Sequence, residues 1–177
     1  MRKLFTALTL ALCVSFAAPQ AQAQFSLFPY IGYNIDAEGF LIGIGGEFVA
    51  PFEISNLDLT IAPSVEYVFT EDFEDPFGNA DVSTSIIQIN GDVIARFNPQ
   101  GSFVPYAGAG LAIVIFSVEQ DISGFDASDT DIGINILGGA AFPGVLGFGD
   151  PFVQGRITLA GDTAIALIGG VRIPLGN

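Results

Sequence analysis

Histidine and tryptophan are absent from this chain, and cysteine and methionine occur once each. The single cysteine, Cys13, and the single lysine, Lys3, both lie in an N-terminal segment laid out like an export signal. Met1-Arg2-Lys3 is a short positive start, Leu4 to Ala18 is uncharged and apolar, and Ala21-Gln22-Ala23 has the small-x-small pattern read by signal peptidase. Cleavage is expected before Gln24, giving a signal peptide over 1–23 and one domain over 24–177. Leu12 is too large for the position before a lipidated cysteine, so Cys13 is not read as a lipoprotein anchor.

The mature part lacks more. Without cysteine or histidine it can form no disulfide and no thiolate or imidazole metal site. Hydrolases and acyltransferases built on membrane barrels use a histidine base, so neither an enzyme nor a cofactor is expected. Arg96, Arg156 and Arg172 stand against 19 acidic residues, which excludes a surface for nucleic-acid phosphates. No apolar run reaches the roughly 18 residues of a transmembrane helix. The nearest stretch, Val104 to Val118, is shorter and is interrupted by Pro105, Gly108 and Gly110.

What is present is apolar. Half of the residues are hydrophobic and 17 are Phe, unlike a chain kept disordered by its charge. An exported, hydrophobic chain without a helical span points to the other membrane solution, a closed β-barrel.

Alternation supports that expectation. From Leu57 to Phe69 one face reads Leu57, Leu59, Ile61, Pro63, Val65, Tyr67, Phe69, and the other Asp58, Thr60, Ala62, Ser64, Glu66, Val68. A period of two over this length is a strand with one apolar and one polar face. Ile87 to Phe97 repeats the pattern, and Phe40 to Ala50 does so with Glu47 on its quieter face. Turn residues divide the mature chain into eight strands, at 27–35, 40–50, 57–69, 84–97, 103–118, 131–142, 151–160 and 164–175. Each is long enough for a tilted strand to cross a bilayer. The faces of the fifth and sixth strands stay ambiguous, because Gly and Ala fill both. The fold expected is therefore all-β, an eight-stranded antiparallel up-and-down transmembrane β-barrel.

With both termini in the periplasm, Pro51–Asn56, Asn98–Ser102 and Pro143–Asp150 become periplasmic turns, carrying the Pro, Gly and Asn that turns need. Asp36–Gly39, Thr70–Ser83, Glu119–Thr130 and Gly161–Thr163 become outer loops, the first and last unusually short. Aromatic residues gather near the strand ends, as in interfacial girdles: Phe48, Phe97, Phe103, Phe142 and Phe152 below, and Phe40, Tyr67, Phe69 and Phe116 above.

Phe103-Val104-Pro105-Tyr106-Ala107-Gly108-Ala109-Gly110-Leu111 resembles the PYxGxGLG strand of the small outer-membrane protein β-barrel domain family. Asp131–Gly139, Pro151–Arg156 and Gly169–Leu175 (GGVRIPL) are similar to that family's closing strands, so the resemblance spans the mature chain. It implies location in the bacterial outer membrane, with lipid and the barrel-assembly machinery as partners, and a monomer is expected. Such barrels usually end on an aromatic residue read by that machinery, whereas here the residues are Leu175-Gly176-Asn177.

Two further readings compete with a structural or surface-interaction role. One is a narrow cation-preferring pore funnelled by acidic loops, which conductance would reveal. The other is a soluble periplasmic lipocalin-like barrel for an apolar ligand, with the faces inverted. A soluble exterior carries about 25–35% charged residues. The polar strand face here holds only Glu47, Asp58, Glu66, Asp92, Arg96, Arg156 and Arg172, which favours the membrane barrel.

Those charges are the candidate site. Counting positions along the strands places Glu47, Asp58, Asp92, Arg96, Arg156 and Arg172 at one level of the lumen, a network of three arginines facing three carboxylates. Unpaired charges in a narrow interior are costly, whereas arginine–carboxylate pairs satisfy both partners. A structural plug is the plainer reading and an ion gate the sharper one. Glu66 and Asp92 also share the expected lumen, as a carboxylate pair that could in principle do acid–base work. The acids of the outer loops (Glu71, Asp72, Glu74, Asp75 and Asp81; Glu119, Asp121, Asp126, Asp129 and Asp131) make divalent cations the candidate loop ligands, although neither segment has the spacing of a calcium loop.

Expression in a bacterium with an outer membrane should give a mature N-terminus at Gln24, read by intact mass. Ala23→Arg should leave the precursor uncleaved. Recovery of residues 1–23 on the wild-type protein in the outer membrane would overturn the signal-peptide reading.

Overall fold

The computed structural model describes residues 25–49, 57–70, 73–74, 81–120 and 125–175. The expected signal peptide, the turn Pro51–Asn56 and most of the loop Thr70–Ser83 lie outside them.

Nine strands run in chain order: β1 (Phe25–Asn34), β2 (Gly39–Val49), β3 (Leu57–Phe69), β4 (Phe73–Glu74), β5 (Asp81–Phe97), β6 (Val104–Gln120), β7 (Phe125–Ala141), β8 (Asp150–Ala160) and β9 (Asp162–Pro174). Among the described residues there is no helix. Eight of the strands close a barrel in the order β1-β2-β3-β5-β6-β7-β8-β9 and back to β1, every neighbour antiparallel. The β3–β5 ladder is unbroken from Leu57↔Phe97 to Phe69↔Ser85, and β9 returns to β1 with Ile173↔Leu27 through Ala166↔Asn34. Closure leaves no unpaired edge in the wall, the condition for crossing hydrocarbon on strands.

The strands lie where alternation places them, with two differences. First, β6 and β7 pair as far as Gln120↔Phe125, so most of the expected loop Glu119–Thr130 is ladder. The acidic composition there suggests a loop, but beyond the membrane both faces of a hairpin are wet and charge does not end backbone pairing. Second, within the expected loop Thr70–Ser83, β4 pairs with the start of β5 (Phe73↔Val82). The short connections are tight as expected. Asn34 Oδ1 accepts from Ala37 N–H at 3.0 Å in the β1–β2 turn, and the chain reverses between β8 and β9 at Gly161, whose φ is 59°.

The exterior is apolar. Ile132 is 77% exposed, Phe40 72% and Ile31 68%, while Glu47, Glu66, Asn135 and Arg156 are buried inside. Such inversion excludes the soluble lipocalin-like reading, in which the apolar face would line the interior. It also resolves the two ambiguous strands. On β6, Tyr106, Ala112 and Val114 point inward, and on β7, Asn135 and Leu137 do.

Girdles form at both barrel ends: Phe40, Tyr67 and Phe69 at the end away from the termini, Phe48, Phe97 and Phe103 at the terminal end. Two aromatics expected in them are not there. Phe152 is 5% exposed and faces the lumen, and Phe116 is half-buried against the core. Strand parity sets the face, and both fall on the inward phase of their strands. The lumen takes such large rings because glycines face them. A Cβ at Gly43 would overlap the Tyr30 ring, and one at Gly170 would lie 2.6 Å from Phe152 Cζ.

Ile61 and Val93 are cross-strand partners on the outer face, each about half exposed. Arginine at either should destabilise the barrel by about 2–4 kcal/mol in refolding titrations into lipid, and less in thinner bilayers as the site nears the interface. Thr60→Arg points inward and should show no dependence on bilayer thickness. Equal effects at all three positions would overturn the assignment of faces.

Candidate functional site

Inward-facing positions on the strands bring the polar residues of the lumen together in stacked tiers. Nearest the terminal end, Glu47 sits between two arginines. Arg96 Nη2 donates to Glu47 Oε1, and Arg172 Nε lies 2.5 Å from Glu47 Oε2. The second contact is close in distance but is not aligned as a hydrogen bond, so it counts as a charge contact. Thr60 Oγ1 donates to the same carboxylate at 3.2 Å. The Arg172 guanidinium also lies over two rings, 5.4 Å from the centroid of Phe152 and 5.9 Å from that of Tyr106.

Further into the barrel, Arg156 Nη2 donates to Glu66 Oε1 and the Tyr30 hydroxyl donates to Glu66 Oε2 at 2.9 Å. This is the more deeply buried pair, with side chains 3% and 1% exposed against 11% and 3% for each arginine with Glu47.

A neutral layer adjoins it. Gln88 Nε2 donates to Asn90 Oδ1 at 2.7 Å, Asn135 Nδ2 to Asn90 Oδ1 at 2.8 Å and to Asp92 Oδ1 at 3.0 Å, and Thr158 Oγ1 to Asn135 Oδ1 at 2.9 Å. Buried amides and hydroxyls linked this way satisfy one another and hold one another in place. Between the tiers remains a void of about 20 Å³, bordered by Tyr30, Glu47, Asp92, Arg156 and Arg172. It has room for about one water.

The six residues expected at one level are thus distributed differently. Glu47, Arg96 and Arg172 come together. Arg156 lies deeper and pairs with Glu66, which sequence reasoning had set beside Asp92 as a possible acid–base pair. Asp92 is buried but is held by Asn135 and makes no ion pair among the described residues. Asp58 stands opposite Arg96 in the β3–β5 ladder and is only half-buried, with no ion pair among the described residues. Depth along the strands separates them: Glu47, Arg96 and Arg172 stand one or two residues from the terminal ends of β2, β5 and β9, whereas Asp92 and Arg156 stand five and six from those of β5 and β8.

Tyr30 and the amide layer were not anticipated. Gln88, Asn90 and Asp92 do carry a signal, three polar side chains at every second position of one strand. Nothing local pairs them with Asn135 and Thr158, which are distant in the chain. No group of three or more carboxylates that could hold a metal occurs among the described residues.

The Outer membrane protein beta-barrel domain family model matches residues 6–143. No curated protein matches the sequence. Solved structures similar to this chain include Neisserial surface protein A, 21% identical with a TM-score of 0.59, covering 86% of this chain and 96% of that one. A major outer membrane protein from Thermus thermophilus is 13% identical with a TM-score of 0.63, covering 87% and 100%. The outer membrane enzyme PagL is 15% identical with a TM-score of 0.52, covering 85% and 99%. At these identities the likeness is one of fold.

The two arginine tiers should respond differently to substitution. Arg156→Met strands Glu66 with only the Tyr30 hydroxyl, and should lower unfolding stability by about 3–5 kcal/mol. Arg96→Met leaves Glu47 in contact with Arg172 and Thr60, and should have a smaller effect. Glu66→Gln added to Arg156→Met should recover part of the loss. A double-mutant cycle without coupling between Arg156 and Glu66 would contradict the pairing.

Proposed function

The chain belongs to the Outer membrane protein beta-barrel domain family, and on that premise we propose that it is a sealed barrel of the bacterial outer membrane with a structural or surface-interaction role. The proposed orientation puts the termini and the turns beside them in the periplasm, and the β1–β2 and β8–β9 connections outside.

One observation carries the sealed reading. The lumen is crossed by buried ion pairs and an amide layer, and the void beside the ion pairs is only about 20 Å³. An ion crossing it would have to shed water and displace charges already paired. Eight strands leave an interior that side chains fill, and here Phe28, Tyr30 and Phe152 supply much of the volume. No catalytic step is assigned. The fold is shared with an enzyme, PagL, but function follows the site and not the fold. The chain has no histidine to act as a base, and Glu66 and Asp92 are engaged by Arg156 and Asn135.

Planar-bilayer recording is the test. The wild-type barrel should be silent, and the pair Glu66→Ala with Arg156→Ala, which empties the most buried tier without leaving a lone charge, should give measurable current. Stepwise cation-selective current from the wild type would overturn the sealed reading and put a narrow pore in its place.

A further inference from the structure

Beyond the amide layer the lumen opens again. A cavity of about 460 Å³ occupies the end of the barrel away from the termini. Its sides are apolar, formed by Ile86, Val114, Phe116 and Ala160. Gln88 and Thr158, each 4% exposed, lie at its base. Its rim carries Asp36, Glu38 and Asp162, all exposed. No base lines it, and the nearest arginine along β8, Arg156, is committed to Glu66.

Two observations separate this cavity from an ordinary acidic surface. Rim carboxylates are usually consumed by the loops that carry them, and Asp36 is, since its Oδ2 accepts from Ile165 N–H at 2.6 Å. Glu38 and Asp162 accept no hydrogen bond among the described residues. At the base, Gln88 uses its amide nitrogen twice, towards Asn90 and Thr158. Its amide oxygen accepts nothing among the described residues, although the side chain is 96% buried by its 4% exposure and borders the cavity. The oxygen is not sealed off by protein, so a donor entering the cavity can reach it. Acceptors at the rim and at the base, with apolar walls between, specify a ligand that donates and is partly apolar.

We propose that this cavity is a binding site for a small amphipathic organic cation, an ammonium or guanidinium joined to an apolar body. The body packs against Ile86, Val114 and Phe116, and the positive head lies between Glu38 and Asp162. A donor at the inner end reaches the Gln88 amide oxygen. Apolar burial supplies the attraction and the rim supplies the sign of charge. An anion is disfavoured by the uncompensated carboxylates. The site goes beyond the structural role and does not depend on the lumen being sealed.

The probe is 2-(4-hydroxyphenyl)ethylammonium, whose phenol supplies the inner donor, titrated into the barrel folded in lipid nanodiscs and followed by NMR of the Ile86, Val114 and Ala160 methyl groups. Neutral 2-(4-hydroxyphenyl)ethanol and anionic 4-hydroxyphenylacetate share its body and serve as comparisons. Saturable shifts at these methyls are expected, tightest for the ammonium and weakest for the carboxylate, with affinity falling as salt rises. Glu38→Gln and Asp162→Asn lie on the exposed rim and should leave heat-modifiable gel mobility intact. Each should weaken the ammonium by roughly two- to fivefold, the scale of one exposed ion pair, and leave the alcohol unchanged. Ala160→Phe, which fills the cavity, should abolish binding of all three. Should it fail to fold, Gln88→Leu tests the base by weakening the ammonium and the alcohol alike. Equal affinity for the three probes, or shifts that never saturate and ignore the rim variants, would overturn the proposal.

Discussion

A chain inside hydrocarbon has no water to satisfy its backbone, and most of this structure follows from that constraint. Each N–H and C=O in the wall must find a partner on a neighbouring strand, so the sheet cannot end and must close on itself. Closure is completed here by a ladder between strands distant in sequence, β9 with β1. Once closed, the wall has only two faces. The one toward lipid must be apolar, and polar side chains have nowhere to go but inward.

Inside a barrel of eight strands those polar groups meet a second limit, volume. The lumen is wide enough for side chains but not for side chains with their water. Charge must therefore be neutralised by charge, as Glu47 is by Arg96 and Arg172 and Glu66 by Arg156. Amides must bond to amides, as Asn90 does with Gln88 and Asn135. Bulk must be matched by its absence, as Tyr30 lies over Gly43. A buried ion pair adds little stability compared with a well-packed apolar pair, but breaking it is costly. The tiers therefore act more to select one arrangement of the interior than to strengthen it.

The same packing divides the lumen unevenly. Toward the termini it is filled by rings and guanidinium groups. At the other end Ile86, Val114, Phe116 and Ala160 of β5, β6 and β8 line the wall without filling the lumen, and the space stays open. The acids carried there face outward from short, tightly built connections, so their charge is held in a defined place.

The amino-acid sequence by itself determined the class of the molecule. The absence of histidine, the absence of cysteine beyond the expected signal peptide, the lack of a helical span and the period of two from Leu57 to Phe69 and from Ile87 to Phe97 suffice for a membrane barrel with a polar interior. Those properties are local: alternation is set residue by residue, and one phase fixes a whole face. Tertiary structure alone decided which charges meet. Arg156 reaches Glu66 rather than Asp58, and Asp92 reaches Asn135 rather than an arginine, because strands tilt and stagger as the barrel closes. Glu66, nine residues from the terminal end of β3, then stands at the height of Arg156, six from that of β8. It also decided that Phe116 and Phe152 turn inward, that the hairpin of β6 and β7 continues through its acidic stretch, and that a cavity remains at one end. Each depends on partners far away in the chain, and no local pattern encodes them.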